Sequence, residues 1–170
     1  MAHNDTKYPY GADGLLVLQG KQGIGKTSFV RKIGVLPELV KLGQYLDSRD
    51  KDTIRRCTSC WICEWGEIET TLRSDLERLK AFITAEIDEY RLPYGRTDQT
   101  LCRRTSLIAT CNTEQFLIDP TGSRRFWTVP VKGIDLEALA ALDALQLWKQ
   151  IEAQAAGNLQ GFRLTRQEQD

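Results

Sequence analysis

The chain has 170 residues, enough for one domain with a substantial core. Its 23 acidic and 23 basic residues balance, which excludes a function that depends on a global positive field. The sequence has no signal peptide and no apolar run long enough to cross a bilayer, so we expect a cytoplasmic protein without membrane contact. We also expect a single domain over residues 1–170, excised from a longer protein.

The first predicted strand, Leu15–Leu18, leads into a glycine-rich loop and then a helix. The loop fits Gly-x-x-x-x-Gly-Lys-Thr, a phosphate-binding sequence in which glycines let backbone N–H groups converge on phosphate oxygens. Lys26 supplies a cation for the β- and γ-phosphates, and the hydroxyl of Thr27 can bind Mg²⁺. We therefore predict ATP and Mg²⁺ as ligands. The predicted nucleotide-binding residues are Gly20, Gln22, Gly23, Ile24, Gly25, Lys26, Thr27 and Ser28.

The next segment is predicted to be a short helix over Leu36–Leu42, a brief strand at Gln44–Leu46 and a charged surface loop over Asp47–Arg56. Three cysteines follow, Cys57, Cys60 and Cys63, with a C-x2-C-x2-C spacing that can bind zinc or an iron–sulfur cluster. Cys60 and Cys63 lie at an odd separation on an apparent strand, which would point them to opposite faces, and no histidine lies nearby. We therefore expect reduced, mostly buried thiols.

Two carboxylates follow the apolar strand that contains Cys63. Phosphoryl transfer needs one group to hold Mg²⁺, directly or through water, and another to orient the attacking water. Glu64 is assigned the metal role and Glu67 the water role. The reverse assignment stays open, and Glu69 is a weaker third candidate.

An amphipathic helix is predicted over Thr71–Tyr90, followed by a turn in which arginines alternate with tyrosines. Such residues offer phosphate contacts and stacking surfaces for nucleic acid. The nucleic-acid candidates are Arg91, Tyr94, Arg96, Arg103 and Arg104. The alternative is a loop whose arginines pair with Asp88, Glu89 and Asp98.

A further apolar strand, Thr105–Asn112, ends on a polar residue. Asn112 can hydrogen-bond a γ-phosphate or the attacking water if this strand lies beside the first one. Arg124 and Arg125 then precede a predicted strand over Phe126–Val131, in the position where ring ATPases carry an arginine that reaches a neighbour's nucleotide. A helix over Leu136–Ala156 completes the pattern.

Several of these segments together resemble the virulence-associated protein E family, phage- and prophage-encoded P-loop ATPases related to superfamily 3 helicases and often fused to a primase. The segments are 18–27, 61–67, 80–84, 88–96, 109–112 and 119–127. The resemblance implies an ASCE-type sheet, Glu64 or Glu67 as the Walker B acid, Asn112 as a sensor, and Arg124 or Arg125 as an arginine finger. Cys63 and Trp65, which flank the acid, depart from the aliphatic or small residues expected there.

These observations predict an α/β P-loop NTPase of the ASCE/AAA+-like type, with three layers and a mostly parallel central sheet. The expected function is ATP hydrolysis by the motor domain of a DNA helicase or replication protein of a phage or mobile element. Single-stranded or forked DNA and a homo-oligomeric ring are the expected partners. The alternatives are a P-loop small-molecule kinase and a non-catalytic, nucleotide-dependent binding protein that interferes with replication.

Overall fold

The computed structural model describes residues 14–47, 49–66, 68–91, 98–112 and 125–155. Its strands are β1 Leu15–Gln19, β2 Val40–Gln44, β3 Ile62–Trp65, β4 Ile87–Arg91, β5 Asp98–Cys102, β6 Ser106–Cys111 and β7 Phe126–Pro130. Its helices are α1 Lys26–Ile33, α2 Lys51–Thr58, α3 Ile68–Ile83, α4 Leu136–Ala141 and α5 Ala144–Ala155, with a 3₁₀ turn at Pro37–Leu39.

The central sheet has five parallel strands in the order β2-β3-β6-β1-β7. Strand β6 lies between β1 and β3, and its last residue, Cys111, pairs with Gln19 at the end of β1. Because the strands are parallel, the segments that follow β1, β3 and β6 meet at one edge of the sheet, where α/β proteins bind ligands. The predicted α/β fold with a mostly parallel sheet is confirmed.

Both faces of the sheet are buried, which explains why its strands read as nearly continuous apolar runs. On one face Val17, Trp65 and Leu107 form a core with residues of α3 such as Ile83. On the other face Leu18, Ile62 and Ile108 pack with Val30 and Ile33 of α1, and Trp148 of α5 joins them. The result is the predicted three-layer arrangement, with helices on both sides of the sheet.

Two predictions between α1 and β3 were wrong. The expected helix over 36–42 is only a 3₁₀ turn, after which the chain forms the edge strand β2. The expected surface loop contains helix α2, because the side chain of Asp50 caps its first turn by accepting a hydrogen bond from the backbone N–H of Asp52 at 2.9 Å.

Two longer helices were predicted as continuous where the structure interrupts them. Helix α3 ends at Ile83 and strand β4 begins at Ile87, so the segment 71–90, expected to be one helix, is a helix followed by a strand. The expected helix over 136–156 is two helices, because Asp143 begins α5 by accepting the backbone N–H of Gln146 at 3.0 Å. Within the described ranges, no helix is both long and apolar enough to cross a membrane.

Candidate functional site

The glycine-rich loop joins β1 to α1 through backbone conformations that favour glycine. Gly23 and Gly25 have φ values of 81° and 98°, in the left-handed region. A Cβ added to Gly25 would also lie 2.9 Å from the Cδ2 atom of Leu136. Helix α1 begins immediately after Gly25 and has no side-chain cap, so the N–H groups of its first turn face the loop without partners within the helix.

Lys26 is buried against this loop and joins it to β6. Its ammonium donates hydrogen bonds to the carbonyl oxygens of Gly20 at 2.5 Å and Lys21 at 2.8 Å, and to Oδ1 of Asn112 at 3.2 Å. Lys26 and Asn112 are 86 positions apart in the sequence. The structure therefore brings together the predicted phosphate-binding lysine and the predicted sensor, because β6 lies directly beside β1.

Glu64 joins three elements at the same edge of the sheet. Its side chain is 1% exposed. Its Oε1 atom accepts a hydrogen bond from the hydroxyl of Thr27 at 2.6 Å, and its Oε2 atom accepts one from the backbone N–H of Gly43 at 2.9 Å. A hydroxyl and a carboxylate oxygen are hard oxygen ligands of the kind that Mg²⁺ prefers, so Thr27 and Glu64 are the residues here that could hold this ion.

A cavity of about 390 Å³ lies over these groups, within the size range of ligand pockets. It is lined by Gln22, Gly23, Gly25, Lys26, Thr27, Ser28, Gly43, Glu64, Gly66, Thr110 and Asn112. The lining thus combines the glycine-rich loop with residues at the ends of β2, β3 and β6. Its polar groups are a cation, a carboxylate, hydroxyls, an amide and backbone N–H groups, which together suit a phosphate–Mg²⁺ ligand.

Gly43 is a site residue that the sequence did not reveal. Its φ of 60° is in the left-handed region, and the pairing of β2 with β3 shifts register between Lys41 and Gln44. This irregularity turns the Gly43 N–H toward Glu64 rather than into the sheet. A glycine inside a strand is a known sign of such a bulge, and Gly43 was the signal that the sequence offered.

A second cavity, of about 350 Å³, lies between α1 and α4 and shares Ser28 with the first. Its lining is mostly aliphatic and includes two cationic side chains, Arg31 and Lys32. The lining residues are Ser28, Arg31, Lys32, Val35, Pro37, Leu136, Leu139 and Ala140. The ammonium of Lys32 donates to the carbonyl oxygen of Ala140 at 2.8 Å and so helps to hold α4 beside α1. The sequence did not predict this groove, because it forms only when the segment after β7 folds back onto α1.

Arg103 was predicted to contact nucleic acid, but the structure buries its side chain instead of presenting it at the surface. Its side chain is buried and forms a bidentate ion pair with Asp88, in which Nε donates to Oδ2 at 2.9 Å and Nη2 donates to Oδ1. Its Nη1 atom donates to the carbonyl oxygen of Phe82, and the guanidinium lies 4.1 Å from the centroid of the Phe82 ring. The alternative, pairing of an arginine with Asp88, is correct for this residue.

The segment around Arg103 is a β-hairpin rather than a simple turn. Strands β4 and β5 pair antiparallel, with Ile87 opposite Cys102 and Arg91 opposite Asp98. Arg104 is exposed just after β5. The Arg91 side chain is not described, and Tyr94 and Arg96 lie outside the described residues, so these three remain predictions.

Arg125 lies where the strands of the sheet begin, whereas the glycine-rich loop lies where they end. It directly precedes β7, whose first residue, Phe126, pairs with Leu15 at the start of β1. The glycine-rich loop follows the last residue of β1. Arg125 and this loop are therefore separated by the length of a five-residue strand, about 16 Å. Glu67 and Arg124 lie outside the described residues, and their roles remain predictions.

The three closely spaced cysteines meet at the end of α2. The thiol of Cys60 donates to the carbonyl oxygen of Cys57 at 3.7 Å, and Cys60 packs against the core cluster that contains Cys57 and Cys63. Cys60 precedes β3 rather than lying on it, so the argument from the two faces of a strand does not apply to this pair. The described residues contain no group of three or more side chains arranged to hold a metal ion. All five cysteines are free thiols, and Cys57, Cys63 and Cys111 are buried.

The parallel sheet, the glycine-rich loop and the polar groups at its edge together define an α/β protein of the P-loop type. The sequence profile of the virulence-associated protein E-like domain matches residues 9–170. The chain therefore belongs to this family, which confirms the resemblance seen in the sequence.

Solved structures of the NrS-1 C-terminal region, in an apo A form, have a similar fold. Two of them match with a TM-score of 0.53, at 17% and 18% identity, and the match covers 74% and 75% of this chain. The chain spans 30% of the length of each of those structures. At this identity the likeness concerns the fold. No match was found among curated proteins.

Proposed function

We propose that this domain binds ATP with Mg²⁺ and hydrolyses it. The observation that carries the proposal is the hydrogen bond between Thr27, at the end of the glycine-rich loop, and Glu64, at the end of β3. A buried carboxylate bonded to the threonine of a phosphate-binding loop is the arrangement that a Mg²⁺–phosphate complex needs. Two hydrophobic side chains in place of Thr27 and Glu64 would fill the same space without the free-energy cost of burying a charge. A role in binding therefore explains this pair better than a role in stability.

In this proposal each side chain has one task. Lys26 neutralises charge on the β- and γ-phosphates. For this its ammonium, which now donates to the carbonyl oxygens of Gly20 and Lys21, would turn toward the phosphates. Thr27 and Glu64 hold Mg²⁺, directly or through water, and the ion would neutralise charge that develops on the phosphate oxygens. Asn112 orients the attacking water or the γ-phosphate. Glu67 is the candidate for activating that water, with the exchanged roles of the two acids still open.

The groove between α1 and α4 would receive the nucleoside. It adjoins the phosphate cavity at Ser28, and its aliphatic walls from Val35, Leu136 and Leu139 suit the face of a base. Arg31 lines the same groove and can interact with an α-phosphate or a ribose oxygen. The two adjoining cavities thus match the two halves of a nucleotide, one anionic and one largely apolar.

Membership of the virulence-associated protein E-like family favours a motor role in replication of a phage or mobile element. Arg125 cannot reach the phosphate cavity of its own chain, because it lies at the opposite edge of the sheet. In a homo-oligomeric ring, Arg124 or Arg125 would reach the nucleotide of a neighbouring subunit. Single-stranded or forked DNA would contact the hairpin region through Arg91, Tyr94, Arg96 and Arg104, whereas Arg103 supports the hairpin from inside.

ATP turnover with and without single-stranded DNA separates this function from its two alternatives. We expect turnover that rises when DNA is added. A small-molecule kinase would show turnover that responds to a hydroxyl acceptor and not to DNA. A non-catalytic binding protein would bind ATP with no turnover in either condition.

A mixing experiment tests the ring. Lys26→Ala removes the phosphate-binding cation, and Arg124→Ala/Arg125→Ala removes the predicted finger. Mixed subunits should recover part of the turnover that each variant lacks, since a finger can contribute about 10³–10⁵ in rate. Lack of recovery in mixtures that demonstrably co-assemble would contradict action between subunits.

A further inference from the structure

Val35, just after helix α1, has a backbone conformation that its side chain disfavours. Its φ is 63°, in the left-handed region, and among the described residues it is the only non-glycine residue with a positive φ. The backbone N–H of Leu36 donates to the carbonyl oxygen of Gly34 at 2.7 Å, which closes a γ-turn around Val35. A γ-turn with a positive central φ is rare and strained, and a β-branched side chain adds to that strain.

The end of the helix does not itself require a valine at this position. Many helices end on a left-handed residue, and glycine is preferred there because it has no Cβ. This chain has its glycine one position earlier. Gly34 has an ordinary helical φ of −71°, and a Cβ added to it would overlap the Cγ2 atom of Val40. Close packing against β2 therefore explains Gly34 and leaves the left-handed position to Val35.

Packing in the core does not explain the valine either. The side chain of Val35 is 37% exposed, and it lies outside both core clusters of the described residues. It forms instead part of the wall of the groove between α1 and α4, together with Leu136 and Leu139. Strained residues concentrate at ligand-binding sites, where function maintains a conformation that stability alone would remove. The strain at Val35 therefore points to a ligand in this groove.

We propose that Val35 is a specificity-determining residue that packs against the nucleoside of bound ATP, an inference that rests on the proposed function. The γ-turn holds the isopropyl group of Val35 in the groove wall, where contact with a base or ribose would offset the cost of the strained backbone. The occupant is a nucleotide rather than an apolar peptide, because the groove adjoins the phosphate cavity at Ser28 and its lining includes the cationic Arg31. Since Val35 offers only apolar surface, it should favour ligands that carry a nucleoside over bare polyphosphates.

Replacement of Val35 by residues that tolerate a left-handed φ separates its effect on stability from its effect on binding. Val35→Gly and Val35→Asn relieve the strain and remove the apolar wall, so both should have a Tm at or above that of the parent. Their affinity for ATP, measured by calorimetry with Mg²⁺, should fall about tenfold, with the affinity for inorganic tripolyphosphate unchanged. Val35→Ile keeps a β-branched apolar wall and should bind ATP as the parent does. Leu36→Asn is the matched control with parental ATP affinity, because Leu36 is an exposed neighbour with an ordinary φ of −115° and lies outside the groove lining.

Parental ATP affinity in folded Val35→Gly and Val35→Asn chains would overturn the proposal, and so would equal losses for ATP and tripolyphosphate. A Tm several degrees below the parent value would show that the valine stabilises the fold, and would overturn the functional explanation of the strain. The parent chain distinguishes this inference from the proposed function. A parent that binds tripolyphosphate as tightly as ATP would refute the nucleoside contact and leave a phosphate site, whereas a parent that binds neither ligand would refute the proposed function and this inference with it.

Discussion

Replacement of Glu64 by glutamine changes the charge at the centre of the proposed site but not its shape. The carboxylate accepts one bond from the Thr27 hydroxyl and one from the Gly43 N–H. In Glu64→Gln, the amide oxygen can accept from Gly43 while the amide nitrogen donates to the Thr27 oxygen, since a hydroxyl can rotate to accept. Each bond loses its charge assistance, about 1 kcal/mol, but the chain no longer buries a charge.

The free energy of unfolding of Glu64→Gln should therefore stay within about 1 kcal/mol of the parent value, or about 2–4 °C in Tm. Mg²⁺ binding should suffer far more, because a neutral amide oxygen replaces an anionic ligand. We expect the Mg²⁺ concentration needed for half-maximal ATP binding to rise at least tenfold, about 1.4 kcal/mol. A titration of Mg²⁺ with a fluorescent ATP analogue measures this shift.

Glu77→Gln is the control, because it removes an 83% exposed carboxylate from α3 and should leave the Mg²⁺ requirement unchanged. An unaltered Mg²⁺ requirement in Glu64→Gln would refute the metal role of Glu64. A loss of Tm much beyond 4 °C would show that the carboxylate is needed for the fold, contrary to the hydrogen-bond exchange described above.

Three further variants test separate parts of the structure. Arg103→Met should cost about 3–5 kcal/mol in urea unfolding, because it leaves a buried carboxylate without its partner, while the exposed Arg104→Met should cost almost nothing; equal costs would contradict the buried ion pair. Gly25→Ala should weaken ATP binding at least tenfold, since φ is 98° there and Leu136 blocks a Cβ, whereas Gly133→Ala has open space and should bind normally. Leu139→Trp should fill the groove and weaken ATP binding without affecting inorganic tripolyphosphate; an equal loss for both ligands would argue against a base in the groove.

The parts of the fold and site that could be predicted are those that depend on residues close together in the sequence. The loop from Gly20 to Thr27 needs particular residues at fixed spacing, so the strand before it and the helix after it could be predicted. Strands that are buried on both faces appear as apolar runs, and β1, β6 and β7 were located within one or two residues. The role predicted for Asn112 depended on its strand lying beside the first one, and β6 does pair with β1.

The remaining features depend on contacts between distant parts of the chain. Gly43 donates to Glu64 only because β2 bulges beside β3. Arg103 looked like a surface cation, but the fold of the hairpin buries it against Asp88, 15 positions away. Helix α2 was missed because its many charged residues suggested a loop, although Asp50 was present as a capping signal.

ATP binding by Lys26→Ala, measured by calorimetry in the presence of Mg²⁺, tests the central claim most directly. Lys21→Ala is the matched control, because it removes a lysine from a variable position of the same loop. The proposed site predicts that the folded Lys26 variant loses ATP affinity by at least tenfold, with the Lys21 variant close to the parent. Parental affinity in a folded Lys26→Ala chain would contradict the claim that this cavity is a nucleotide site.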